Sequence, residues 1–393
     1  MSVKLNIGVI FGGRSVEHEV SIVTGYQTME ALDRSRYIVT PIYIARDNVW
    51  YVGEGLQDIE FFRRDHPPIE SLTSVYPSPD AATGKLNLIE ARASALRKRR
   101  ISQIDLVIPA MHGSFGEDGC LQGLLEMSGI PYAGSNVYAS SVAMDKLLTK
   151  AVLQANNLPF LPYCSIFKDA WENDPLAAME QVETRSDYPL MVKPARLGSS
   201  VGVKSAYSRD ELENAVYFAL RFGETCLTEK YIEDCTEVNC AVLDGDAPIP
   251  SVLEKPIRGE KILTFDEKYR GDQKGAKQKA GSKGMAGLKR EIPAQIPSEL
   301  ADIIRDYAVR VFAAIGAGGV ARIDFIIDGE DRVYLNEINS IPGSFAYYLW
   351  ENMGRSFTEL LDYMIERAMT IRKRNNRTTY SFEANLLSRG NRR

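Results

Sequence analysis

No apolar run in the chain approaches the ~20 residues that a membrane-spanning helix needs, so no membrane partner is expected. Cysteine is scarce. Cys120, Cys164, Cys226, Cys235 and Cys240 are scattered, odd in number and nowhere spaced as CxxC, which argues against zinc and redox motifs. They are expected to be reduced thiols in a cytoplasmic protein. There is no basic surplus either. A net charge of -5 disfavours nucleic acid as a partner, because phosphate backbones call for a basic surface. The N-terminus lacks the basic, apolar, small-residue order of a secretory signal and enters a strand at once. The Walker A pattern GxxxxGK[ST] is absent, and no internal repeat is visible. Gly316-Ala-Gly-Gly-Val-Ala321 matches GxGxxA, but a helix precedes it and a strand follows, the reverse of a dinucleotide fingerprint.

What is present is ordinary for a globular enzyme, with 45% hydrophobic and 25% charged residues among 393. That length implies two or three packed units. Short apolar strands alternate with helical stretches, the α/β pattern. Leu5 to Phe11 reads as a buried strand, followed by Gly12-Gly13, a helix to Leu32, and a strand from Val39 to Ala45. Residues 52 to 100 read as irregular and polar. A strand from Asp105 to Ala110 leads into His112-Gly113, the loop Gly116-Glu-Asp-Gly119 and a helix from Leu121 to Met127 that Gly129 ends. Residues 1–135 are thus expected to form a doubly wound parallel sheet. A second unit spans 136–229 and a third 230–375. The tail 376–393 is polar and aperiodic and is expected to be disordered.

The most informative chemistry lies on a hairpin. Gly319 to Asp328 and Val333 to Asn339 flank a four-residue turn, Gly329 to Arg332. Strand side chains alternate, so Arg322 and Asp324 share a face, as do Glu337 and Asn339. If Asp328 pairs with Val333, Asp324 lies opposite Glu337 and Arg322 opposite Asn339. Facing carboxylates repel unless a cation lies between them. Two carboxylates, an amide oxygen and substrate phosphates suit Mg²⁺. The competing reading is a solvated face bearing an Asp-Arg pair. Lys193-Pro-Ala-Arg-Leu-Gly-Ser-Ser-Val-Gly202 can close backbone N–H groups over a phosphate, with the lysine as point charge, or be an ordinary turn. Leu227 to Ile232 is a strand end that could hold adenine, a weak signal by itself. Glu17, in the segment after the first strand, could hold an ammonium or simply complement a helix dipole. His112 lies at the sheet edge where α/β proteins bind ligands.

Taken in order, these motifs resemble the D-alanine–D-alanine ligases of the ATP-grasp superfamily. They are Gly-Gly-x-Ser-x-Glu-x-Glu-Val-Ser, His-Gly-x-x-Gly-Glu-Asp-Gly, Met-Asp-Lys, Lys-Pro-x-x-x-Gly-Ser-Ser-Val-Gly, Glu-Lys-Tyr-Ile, Lys-Tyr, Arg-Ile-Asp and Asn-Glu-Ile-Asn-x-x-Pro-Gly. The resemblance spans residues 4 to 372. It implies a three-domain ATP-grasp fold and a two-step reaction, in which ATP phosphorylates one D-alanine and the amine of a second attacks the acylphosphate. It implies Asp324, Glu337 and Asn339 as Mg²⁺ ligands, with Mn²⁺ as the other candidate. It implies Lys146, Lys193 and Lys268 on the phosphates, and Glu229, Lys230, Ile232 and Glu237 around adenine and ribose. Glu17 would anchor the first ammonium, beside Val20 and His112. Arg322 and the Gly343 N–H would stabilise the tetrahedral intermediate. Ser199 and Tyr269 would join Glu17 in a triad under a loop, Gly271 to Gly287, that excludes water. A homodimer is also implied.

The resemblance departs from the family in two places. After the metal asparagine the chain reads Ser340-Ile-Pro-Gly-Ser-Phe-Ala-Tyr-Tyr-Leu-Trp350, where better-known members carry a later serine for the second substrate's carboxylate. Tyr348 falls at that place, leaving Ser344 and Leu349 as the expected contacts. The closing loop is also longer and more basic. A sister ligase that joins D-alanine to D-lactate or D-serine is the second reading. A nucleotide-binding regulator without catalysis is the third, and the intact Arg322, Asp324, Glu337 and Asn339 disfavour it.

Overall fold

The computed structural model describes residues 4–64, 66–80, 83–92, 99–257, 290–375 and 377–379. Lys268, Tyr269, the loop Gly271 to Gly287 and the tail, apart from 377–379, lie outside the described residues, as do the expectations attached to them.

Three sheets organise the chain. The first has seven strands: β1 (Leu5–Gly12), β2 (Tyr37–Ile44), β3 (Trp50–Val52), β4 (Thr73–Asp80), β5 (Lys85–Glu90), β6 (Arg100–Ile104) and β7 (Leu106–Pro109), in the order β6-β5-β4-β3-β2-β1-β7. Its parallel part is β2-β1-β7. There β1 and β7 are almost continuously apolar, as expected of parallel strands covered on both faces. The remaining strands extend the sheet antiparallel.

That extension corrects the expectation that 52–100 is irregular. The sequence conceals β4 behind Pro77 and Pro79. Strand β3 reaches only Thr73 to Val75 of β4, so from Tyr76 onward β4 has β5 alone as neighbour. Proline is tolerated along such an edge, where no ladder bond needs its missing N–H. Val75, Leu86, Leu88 and Ile104 supply the buried face.

The second sheet is antiparallel, β10-β9-β11-β8, built from β8 (Tyr163–Phe167), β9 (Leu190–Pro194), β10 (Lys204–Ala206) and β11 (Thr225–Lys230). The third, also antiparallel, comprises β12 (Thr236–Leu243), β13 (Ile249–Pro256), β14 (Arg290–Glu291), β15 (Val320–Ile327) and β16 (Val333–Asn339), in the order β14-β13-β12-β15-β16. The helix Ser298–Ala314 covers it with Ile304, Ala308, Val311 and Phe312.

The chain's end returns to its beginning. Ile7, Val9 and Phe11 of β1 share one core with Phe345, Trp350 and Leu360. The last helix, Phe357–Asn375, is tied to the end of the first helix by Thr358 Oγ1 donating to the Ala31 carbonyl at 2.7 Å, and to the β4–β5 turn by Arg372 donating to the Gly84 carbonyl at 2.7 Å. Among the described residues no helix is long and apolar enough to cross a membrane.

Candidate active site

The hairpin places Asp324 opposite Glu337 and Arg322 opposite Asn339, the expected pairs, by an unexpected route. Val333 pairs with Ile327, not Asp328, so the turn is one residue longer than expected. The Asp328 N–H donates to the Arg332 carbonyl at 3.1 Å, and its carboxylate accepts from the Glu330 and Arg332 N–H groups. The extra residue is absorbed at Asn336, which has no partner in the ladder between Phe325–Leu335 and Asp324–Glu337. Such bulges re-aim side chains beside active sites.

Arg322 grips Asp324 with two bonds of 2.7 Å, and the Asn339 amide donates to Asp324 at 3.1 Å. The Asp-Arg pair weighed against a metal face is therefore present, yet it is buried rather than solvated. Burial pushes the Asp324 carboxyl above the ordinary range, Arg322 pulls against this, and Glu337 adds repulsion. A cation placed between the two carboxylates would relieve that repulsion. Among the described residues no three His, Cys, Asp or Glu side chains converge on a metal position. Two carboxylates and an amide are an incomplete shell of the kind that substrate phosphates finish for Mg²⁺.

The nucleotide end lies where β9 and β11 meet the hairpin. Lys193 donates to Asn336 Oδ1 at 2.9 Å and pairs with Glu229 at 2.6 Å. Lys150 holds the other oxygen of Glu229 at 2.5 Å, donates to the Leu161 carbonyl at 3.1 Å, and lies 5.3 Å from the ring centres of Phe160 and Tyr163. Burial alone would raise the Glu229 pKa, but Lys193 and Lys150 overcome it and hold it at about 2. Lys146 opens the helix Lys146–Ala155 and donates to the Leu197 carbonyl at 2.7 Å. Asp145 caps that helix through the Leu147 and Leu148 N–H groups and pairs with Arg196 at 2.6 Å, which joins the Met-Asp-Lys motif to the glycine–serine loop. Lys230 points instead to the carbonyls of Asp187 and Tyr188, at 3.2 and 3.0 Å. Ile232 and Glu237 flank the crossing from β11 to β12 and are half-buried.

The carboxylate end is built around Glu17, which precedes the first helix, His18–Ala31, without capping it through its side chain. Ser199 donates its hydroxyl to Glu17. Gly113 and Gly198 make room for the carboxylate. A Cβ on Gly113 would sit 2.4 Å from Glu17 Oε2, and one on Gly198 3.3 Å. Ser199 and Ser200 both adopt left-handed backbone, at φ 53° and 59°, strain of the kind found at functional sites. Glu17, Glu117, Lys146, Gly198, Glu337 and Asn339 line a single cleft.

His112 contributes through a chain of hydrogen bonds. The Ser344 N–H donates to Thr24 Oγ1 at 3.0 Å, and Thr24 Oγ1 lies 2.8 Å from His112 Nε2. Burial lowers the His112 pKa to about 4 despite a hydrogen bond with the Ile341 backbone, so the ring is neutral. Gly343 opens a turn in which Ser344, Phe345 and Ala346 are all left-handed, at φ 53°, 52° and 49°. Two expected contacts are not brought to the cleft as predicted. The Ser344 hydroxyl is donated to Gln27, and Leu349 is wholly buried in the core shared with β1. Val20 is buried on the first helix.

Sequence reasoning missed Glu117, Lys150 and Asn336. Glu117 accepts the Gly113 N–H at 2.8 Å and the Ile341 N–H at 2.9 Å, so it fixes both walls of the cleft. Burial and the neighbouring Glu17 raise its pKa. Its place in the His-Gly motif was the available signal, and Lys150 stands one helical turn after Lys146. Nothing in the sequence marked the bulge.

Residues 6–135 match the family model for the D-ala D-ala ligase N-terminus, and residues 152–366 match that for the D-ala D-ala ligase C-terminus. A D-alanine--D-alanine ligase from Thermosipho africanus is 37% identical over 382 residues, covering 97% of this chain and 98% of its own. One from Enterococcus hirae is 32% identical over 387 residues, covering 97% of this chain and 100% of its own. Among solved structures, the D-alanine-D-alanine ligase from Coxiella burnetii superposes with a TM-score of 0.76 at 28% identity, covering 95% of this chain and 97% of that one. The VanG D-Ala:D-Ser ligase from Enterococcus faecalis also gives 0.76 at 28%, covering 93% and 100%.

Proposed function

This chain belongs to the D-alanine–D-alanine ligase family, and from that premise we propose how its residues join two D-alanines into D-alanyl-D-alanine for peptidoglycan precursor synthesis. The observation that carries the reading is the single cleft on which Glu17, Lys146 and the hairpin residues Glu337 and Asn339 converge from separate parts of the chain.

Glu17, buried and supported by Ser199, takes the ammonium of the first D-alanine. That leaves its carboxylate directed toward the lysines and the hairpin. Lys146 and Lys193 hold the ATP phosphates, while Glu229 and Lys230, with Ile232 and Glu237, receive adenine and ribose. Asp324, Glu337 and Asn339 would hold Mg²⁺ or Mn²⁺, which when bound neutralises the phosphates during transfer. A carboxylate oxygen of D-alanine attacks the γ-phosphorus, the bond to ADP breaks, and D-alanyl phosphate forms. The amine of the second D-alanine, having lost a proton, then attacks the acyl carbon. Arg322 and the Gly343 N–H stabilise the oxyanion that develops, and inorganic phosphate leaves as the peptide bond closes. We place this activity in the cytoplasm and assign it to a homodimer.

An ADP-release assay with mass spectrometry of the product tests the reading. D-alanine-dependent ADP release with D-alanyl-D-alanine as product is expected. ATP binding without ADP release for any D-amino acid would overturn it.

A further inference from the structure

Beside Arg322, on the side away from the cleft lining, the described residues enclose a polar cluster that the mechanism above does not use. Its centre is Glu254 of β13, 2% exposed. One of its oxygens accepts from the Asn239 amide at 3.0 Å and from the Tyr348 hydroxyl at 3.1 Å. The other accepts from Arg290 at 2.8 Å. The Arg290 guanidinium also lies 4.2 Å from the centre of the Tyr348 ring. A buried carboxylate is costly unless its oxygens are satisfied, and here three donors satisfy them.

The sheet register explains what the cluster faces. Asn239 pairs with Glu254 on one side and with Asp324 on the other, and Asp324 pairs with Glu337. Glu254, Asn239, Asp324 and Glu337 therefore form one row across four strands. Arg322 stands one side-chain step from Asp324 along the same face, two strands away from Glu254. Arg322 thus shares its face with two carboxylates: Asp324, which it grips, and Glu254, which it does not. Were Asp324 to turn to a bound cation, Glu254, with the Tyr348 hydroxyl bonded to it, would remain on that face to orient the guanidinium. Tyr348 also lies in the short helix Tyr347–Glu351, two residues beyond the left-handed turn headed by Gly343. The cluster thus also anchors the helix that follows the Gly343 turn.

We propose that Glu254, with Tyr348 and Arg290, is a positioning residue for the second half-reaction, orienting Arg322 and the Gly343 turn toward the acceptor. The proposal rests on the ligase reading, and two readouts keep the two apart. Positional isotope exchange in labelled ATP reports D-alanyl phosphate formation alone, and dipeptide formation reports both steps. Outer-shell partners of this kind are worth roughly 10–100-fold in activity. Tyr348→Phe keeps the ring under Arg290 and removes one hydroxyl. It should raise the KM for the acceptor D-alanine or lower the condensation rate by roughly tenfold, with isotope exchange and the KM for the first D-alanine unchanged. Glu254→Gln should show the same split more strongly, and Glu254→Asp should restore part of it. Equal loss of exchange and condensation in Tyr348→Phe, or no loss of either, would overturn the proposal. Absence of D-alanine-dependent exchange in the unmodified protein would instead sink the ligase reading.

Discussion

Asp324 faces Glu337 because Asn336, the residue before Glu337, stands out of the ladder. Without the bulge, β16 would alternate cleanly, with Val333, Leu335 and Ile338 buried and Tyr334, Glu337 and Asn339 on the other face. Asn336 is thus a residue that the ladder does not need, and its amide oxygen holds Lys193.

Replacing Asn336 with alanine should leave the fold in place and weaken ATP binding. A hydrogen bond to a charged group contributes about 1.5–3 kcal/mol, so the KM for ATP should rise roughly tenfold or more. Steady-state kinetics beside a thermal melt would check this. A large drop in unfolding temperature with unchanged KM would assign Asn336 to the fold instead. Deleting Asn336 should also yield a folded chain, since the remaining alternation is regular.

Gly113→Ala probes the cradle of Glu17. The residue is left-handed at φ 71°, and the new methyl would sit 2.4 Å from both Glu17 Oε2 and Ser15 Oγ. The conformation costs about 1–2 kcal/mol for a non-glycine residue, and the contact must displace Glu17. The KM for the first D-alanine should rise, by as much as about 100-fold if the carboxylate moves 1 Å. Unchanged affinity for that substrate would refute the anchoring role.

Asp324→Asn and Glu337→Gln each remove one carboxylate from the facing pair. Both should cut turnover by roughly 100-fold or more, because a bound cation supplies several kcal/mol to phosphoryl transfer. Manganese binding, followed by the relaxation of solvent protons in the presence of ATP, should weaken in parallel. Unimpaired manganese binding in both variants would relocate the metal.

Acid should expose the contribution of Glu229. Its pKa falls from 4.5 in the unfolded chain to about 2 in the folded one, burial notwithstanding, because Lys193 and Lys150 hold it. A depressed acid contributes stability that is full above the unfolded value. It is lost as pH falls from 4.5 through about 2. The amount is on the order of 3 kcal/mol. Urea unfolding between these limits should show a steeper loss for the unmodified protein than for Glu229→Gln. Parallel slopes would mean that the two lysines do not act on Glu229 as their distances suggest.

Much of this site was legible in the sequence, though not always for the reason given. The hairpin pairs came out right from a turn counted one residue short, because the bulge added the residue back. Period-2 alternation locates faces but cannot see a compensating pair of irregularities. Prolines hid β4, since proline argues against a strand until the edge that tolerates it is known. Lys150 is one of two lysines a turn apart on a mostly apolar helix, and only the fold brings Glu229 of β11 against it. Ser344 and Leu349 are expected contacts only through the resemblance to the family pattern after Asn339. The left-handed turn redirects both, and three consecutive non-glycine residues of that hand have no local sequence signature.

The core that joins β1 to Phe345, Trp350 and Leu360 dictates when the protein can finish folding during its own synthesis. The first strand leaves the ribosome with its apolar partners still untranslated. Until the helix Phe357–Asn375 emerges, Ile7, Val9 and Phe11 lack part of their cover, so a nascent chain holds an incomplete first unit for nearly the whole of translation. A stop codon ahead of Phe357 would therefore harm the N-terminal sheet as surely as the last helix it deletes.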